Sequence, residues 1–146
     1  MSSQGPEQQS LIDALNAEYA AVFAYGIVAA FSNPNRGDLV GACAAAHRAR
    51  RDSTVDALKA ASVSAPESAA GYSVPFAVVD PVSAAQLAAQ VEADTATAWR
   101  SVIERSRSDA TRGVAVTALT EAAGRAATWR AILGTDPATV PFPGQP

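Results

Sequence analysis

The chain of 146 residues is poor in reactive side chains: it holds one cysteine, one histidine, 6% aromatics and 17% charged residues. The lone cysteine, Cys43, excludes an internal disulfide, so folding does not require an oxidising compartment. The lone histidine leaves a serine triad possible only through His47, and nothing around that residue suggests one. There is no phosphate-cradling glycine loop, no Gly-x-Ser-x-Gly and no Cys-x-x-Cys. Basic charge is scarce as well. A net charge of −3 and a pI near 5.0 argue against a general nucleic-acid binder, which carries a basic stripe. The amino-terminal run Met1-Ser-Ser-Gln-Gly-Pro-Glu7 lacks a basic region followed by an apolar one, which predicts no secretory signal. The longest uncharged stretch, Tyr19 to Asn35, contains Asn33, Pro34 and Asn35 near its end. Its apolar part falls short of the ~20 residues a bilayer needs. These absences predict a cytoplasmic protein with neither nucleic acid nor membrane as partner.

What the chain does have is alanine, 35 residues of it, within an apolar fraction of 49%. Alanine is the best intrinsic helix former, and its small side chain lets helices approach closely. The length suits one domain. Four amphipathic segments follow, giving an all-α fold over 1–146. The first helix covers about 7–31, with Pro6 at a position where a missing N–H costs nothing. Leu11, Leu15, Val22, Tyr25 and Ala29 recur at helical spacing, and a second stripe, Ile12, Tyr19, Phe23 and Ile27, runs beside them. The second helix covers about 38–62, with Asp38 as its expected cap and Val40, Cys43, His47, Val55 and Leu58 inward. The third covers about 83–107 through Leu87, Val91, Ala98 and Val102, with Ala88, Trp99 and Ile103 alongside. The fourth covers about 109–133, carries Ala115, Leu119, Ala122, Ala126, Trp129 and Leu133, and ends at Gly134. A proline-rich tail, 134–146, is expected to be extended.

Connector lengths predict topology. Short loops make two antiparallel hairpins. A helix of about 25 residues is ~38 Å long, and the connector at 63–82 reaches up to ~66 Å, enough to travel the length of a bundle. A crossover, and hence an up-down-down-up arrangement, follows. Tyr72, Val74, Phe76, Val78 and Val79 fit a connector lying against the helices.

Four polar residues fall on or beside the apolar faces, where an unpartnered charge is expensive: Glu18, His47, Glu92 and Glu121. One carboxylate on each of three helices, and a histidine on the remaining one, resemble the ferritin-like superfamily. The chain looks like a small, alanine-rich actinobacterial ferritin-like domain of unknown function. The resemblance spans roughly Leu11 to Leu133 plus the tail. It is carried by Leu15-Asn-Ala-Glu-Tyr-Ala-Ala-Val-Phe-Ala-Tyr-Gly26, Ala46-His-Arg-Ala-Arg-Arg-Asp52, Val74-Pro-Phe-Ala-Val-Val-Asp-Pro81, Thr128-Trp-Arg130 and Pro141-Phe-Pro-Gly144.

That resemblance implies two glutamates from two helices and a Glu-x-x-His from each of the other two, together holding a metal pair. Glu18 matches the first-helix glutamate, and Glu92 the third-helix one. His47 matches the second-helix histidine, but the position three before it is Ala44. Glu121 matches the start of the fourth-helix motif, but the position three after it is Gly124. At most four of six ligands survive, which implies a degenerate di-iron site and no catalysis. The reading of the residues leaves alternatives open. Glu18 and His47 can form a buried hydrogen-bonded pair, or Glu18, His47 and Glu92 can hold one zinc or iron ion as a reduced site or a metalloenzyme. Glu121 can pair with Arg125 four residues on, and an apolar ligand can sit in the alanine-lined interior. Arg48, Arg50 and Arg51 read as a solvated face, Cys43 as packing, and Trp99 and Trp129 as core. The lead reading is a non-catalytic bundle acting through self-association or a protein partner. The two stripes of the first helix exceed one core face, which predicts a homodimer through that helix.

Overall fold

The computed structural model describes residues 5–146; residues 1–4, part of the amino-terminal segment discussed above, lie outside them. Four long helices account for the fold: α1 (Pro6–Phe31), α2 (Gly37–Ala60), α3 (Pro81–Arg105) and α4 (Asp109–Ile132). No strand occurs among the described residues. The protein is an all-helical bundle.

Local chemistry sets the boundaries. Pro6 opens α1. Between α1 and α2 the Asn33 side chain accepts a hydrogen bond from the Asn35 N–H, nucleating the short turn Pro34–Arg36 that runs straight into α2. Asp38 therefore lies within the first turn of α2 and does not cap it, contrary to the sequence expectation; Arg36 occupies the cap position without a side-chain bond. α3 opens two residues earlier than its periodic pattern, because Asp80 accepts from the Ser83 N–H while the Ser83 hydroxyl accepts from the Asp80 N–H. Ser108 caps α4 through the Thr111 N–H. Gly134, at φ +76°, ends α4 in the left-handed region that glycine adopts without strain.

Residue pairs fix how the helices meet. Tyr25 of α1 reaches Glu92 of α3, while Glu18 reaches Trp99, so α1 and α3 are antiparallel. Glu18 also meets His47 of α2, while Tyr25, Val28, Val40 and Cys43 share one end of the hairpin. α4 lies along α3 and reaches Glu92 through Arg125. Alanines at Ala14, Ala21, Ala84, Ala88 and Ala96 are buried and let the backbones come close. Bulk comes from few side chains, chiefly Trp99, Trp129, Tyr25, Leu15 and Leu58, each worth about 2–3 kcal/mol when fully buried. The apolar core falls into two halves. One gathers Val28, Val40, Leu87 and Trp129; the other gathers Leu11, Leu15, Leu58, Trp99 and Val102.

The connector between α2 and α3 lies on the bundle. Val63 and Ala65 pack on the second half-core and Val74 and Val78 on the first, so it passes from one end to the other. On the way the Tyr19 hydroxyl donates to the Pro66 carbonyl at 2.9 Å, and Phe23 meets Tyr72 with ring centres 5.6 Å apart. The chain's own connector thus meets part of the second stripe of the first helix, at Tyr19 and Phe23, and leaves Phe23 38% exposed. α1 also reaches a mean hydropathy of 1.4 over 18 residues, long and apolar enough by length and composition to cross a membrane. The sequence reading judged its apolar stretch too short. A helix packed on two sides needs such a composition, and here it places a carboxylate, Glu18, at the bundle centre.

Candidate functional site

A polar layer separates the two half-cores, and each helix supplies one member. α1 delivers Glu18, α2 His47, α3 Glu92 and α4 Arg125. Glu18, His47 and Glu92 are 1%, 0% and 0% exposed, and the Arg125 side chain is 18% exposed. His47 stands between the two carboxylates. Its Nδ1 lies 2.6 Å from Glu18 Oε2, and its Nε2 lies 2.8 and 3.0 Å from the two oxygens of Glu92. Both ring nitrogens thus face acceptors, and only the doubly protonated imidazolium donates from both.

Other donors reach the remaining oxygens. The Trp99 indole N–H donates to Glu18 Oε1 at 2.9 Å. The Arg125 Nε–H is shared between both oxygens of Glu92 at 3.0 Å, and the Tyr25 hydroxyl donates to Oε2 at 2.9 Å. The Trp129 indole N–H in turn donates to the Tyr25 oxygen at 3.0 Å. The Tyr25 ring lies over the imidazole, ring centres 5.4 Å apart. Among the described residues no buried side-chain nitrogen or oxygen lacks a partner.

Charge and titration agree with this geometry. Burial alone pushes the His47 imidazolium towards losing its proton, but hydrogen bonds to Glu18 and Glu92, reinforced by their charges, outweigh it and raise the pKa to about 9. Burial, then the Glu92 charge, holds the Tyr25 hydroxyl protonated. Burial opposes the charge of Arg125, and the Glu92 carboxylate more than restores it. Two carboxylates face two cations, and the layer is formally neutral.

Of the four ligand positions expected from sequence, the structure brings three together. The fourth, Glu121, lies outside the layer: its side chain is 51% exposed and bonds Arg50 of α2 at 2.9 Å. Its expected pairing with Arg125 does not form, because Arg125 turns inward to Glu92. Sequence reasoning missed Arg125, Tyr25 and the two indole donors. One signal for Arg125 was available: it lies three residues after Ala122 and four before Trp129, on the buried row of α4. Cys43 is buried, and burial pushes its thiol up, as a packing residue requires.

A metal pair does not fit these donors. Both nitrogens of His47 are taken up by carboxylates, and every carboxylate oxygen of Glu18 and Glu92 already faces a donor. Among the described residues no group of three His, Cys, Asp or Glu side chains is arranged to hold an ion. The layer ties four helices together at one point.

Comparisons with known proteins agree on kinship without supplying an activity. The chain is 43% identical to a conserved hypothetical protein from Mycobacterium tuberculosis whose crystal structure is known. The match has a TM-score of 0.87 and covers 94% of this chain and 97% of that one. No curated protein matches. The model of a domain of unknown function, DUF4439, matches residues 10–146. The chain belongs to the DUF4439 family.

Proposed function

We propose that this protein is a ferritin-like, up-down-down-up bundle that performs no catalysis, and that two organic cations stand where such bundles hold a metal pair. The imidazolium of His47 and the guanidinium of Arg125 take the place of the ions, and Glu18 and Glu92 remain as their counter-charges. The antiparallel pairings of α1 with α2 and α3, and of α3 with α4, support this topology, as does the connector running from end to end. The loss of glutamate at Ala44 and of histidine at Gly124 supports the loss of metal. One observation carries the reading: both nitrogens of the only histidine are engaged by carboxylates.

The role then lies on the surface, in binding a protein partner or a second copy. With Tyr19 and Phe23 partly met by the connector, self-association rests on the end of the bundle where Phe31, Val79 and Val82 stay exposed. Sedimentation that steepens with concentration, and no longer does so in Val79→Ser, supports that form. A strict monomer at micromolar concentration leaves the partner-binding form.

Elemental analysis of protein purified without chelators tests the absence of metal. Substoichiometric iron and zinc, and a melting temperature indifferent to added Fe(II) or Zn(II), are expected. One equivalent of metal that disappears in Glu18→Ala and His47→Ala establishes the mononuclear site on Glu18, His47 and Glu92 instead.

A further inference from the structure

Beyond α4 the chain turns back over α3 and α4 as a strap pinned at both ends. At its start, Gly134 donates to the Ala131 carbonyl and Thr135 to the Arg130 carbonyl. At its end, Gly144 sits against α3 at φ +80°, where an added Cβ would stand 2.6 Å from the Ala96 carbonyl oxygen and 2.8 Å from Arg100 Cβ. Only glycine fits there, by conformation and by space. Residues 140–146 and the facing helices line a half-open cavity of about 810 Å³, with Ala93, Thr97, Ala126 and Arg130 on the helix side. A neighbouring hollow of about 380 Å³ adds Phe76 and Leu133 and shares Arg130.

The lining is mainly apolar, with one acid and one base. Val140 and Phe142 of the strap are 43% and 70% exposed, so apolar surface stands uncovered there. Asp94, the acid, accepts from Gln90 Nε2 at 2.8 Å. Arg130 lines both hollows and enters no ion pair among the described residues. Its guanidinium is charged at every accessible pH and shaped to grip a carboxylate with two parallel bonds. The volume lies within the range of about 300–1,000 Å³ typical of small-molecule sites.

We propose that the cavity under the strap binds a small amphipathic carboxylate, its acyl or aryl body against Phe142, Val140 and the helix alanines and its carboxylate on Arg130. This goes beyond the protein-binding role proposed above and is independent of it. The metal analysis bears on the centre alone, so a failure at the strap and a failure at the centre are read separately.

Calorimetric titration of the full chain with octanoate and with 1-octanol tests it, with thermal unfolding as a check on each variant. Saturable one-to-one binding of octanoate is expected, at least tenfold tighter than that of 1-octanol. Arg130→Gln is expected to weaken it at least tenfold, Arg130→Lys less, and Gly144→Ala to weaken it while leaving the melting of the bundle near the wild-type value. Absence of saturable binding, equal affinity for acid and alcohol, or wild-type affinity in Arg130→Gln overturns the proposal.

Discussion

His47 is the residue on which the centre depends. Replacing it with alanine leaves Glu18 and Glu92 facing each other in the core with one cation fewer. Breaking a buried ion pair by removing one partner costs about 3–5 kcal/mol. Urea denaturation of His47→Ala is expected to show a loss of that order. The double variant Glu18→Leu/His47→Leu is expected to lose less than His47→Ala, because Glu92 keeps Arg125 and no charge is stranded. The pH dependence has a definite sign. The His47 pKa is higher in the folded chain, about 9, than the ~6.5 of a free imidazole. Its stabilisation is therefore complete below pH 6.5 and disappears as pH rises through 9. Linkage puts the difference at about 3 kcal/mol across that window. Comparing denaturation of wild type and His47→Ala at pH 6 and near pH 10 isolates it: the gap between the two proteins should shrink at the higher pH.

Three of the four residues in the polar layer were legible because a charged side chain on an apolar helical row must have a partner. Glu18, His47 and Glu92 all declared themselves that way. Arg125 did not, because its spacing four residues after Glu121 fits an ordinary surface pair equally well, and only packing turns it inward to Glu92. The indole N–H groups of Trp99 and Trp129 were hidden for a different reason: helical spacing shows that a tryptophan is buried, but says nothing of where its one donor points.

At the level of the helices, the long stripes were plain from spacing alone, and the ends were set by chemistry the spacing does not contain. The paired bonds between Asp80 and Ser83 pull the start of α3 back to Pro81. Hydrogen bonds from Ser83 also hold the Asp80 carboxyl below its usual range. α2 ends less comfortably. Ser62 takes φ +58°, and the Val63 N–H closes the turn on the Leu58 carbonyl. A non-glycine residue in this region costs on the order of 1 kcal/mol. Ser62→Gly is expected to raise stability by about 1 kcal/mol, read as a higher urea midpoint with an unchanged slope. The connector shows the opposite lesson. Its apolar residues were visible in sequence, as was the second stripe of α1, but nothing in the spacing of either said that the two cover each other. Phe23 and Tyr72 meet because the chain must travel the length of the bundle to begin α3.

The whole molecule is a bundle of four helices around a centre in which cationic and acidic side chains face each other. Two half-cores flank a neutral layer in which each helix contributes a side chain, and the strap and connector cover the outside. The fold was readable because helix periodicity and loop length constrain topology strongly. The strap was not, since a proline-rich segment has no period from which to infer a docking face. The proposed centre holds its shape without an ion, and the only histidine in the sequence makes that directly observable. In a protein labelled with nitrogen-15, the imidazole signals belong to His47 alone, and proton–nitrogen correlation spectra report each ring nitrogen separately. Protons on both Nδ1 and Nε2 at neutral pH, one of them lost with a midpoint near 9, are the expected result. A nitrogen found unprotonated at pH 7, or shifted by added zinc or iron, contradicts the imidazolium bridge between Glu18 and Glu92.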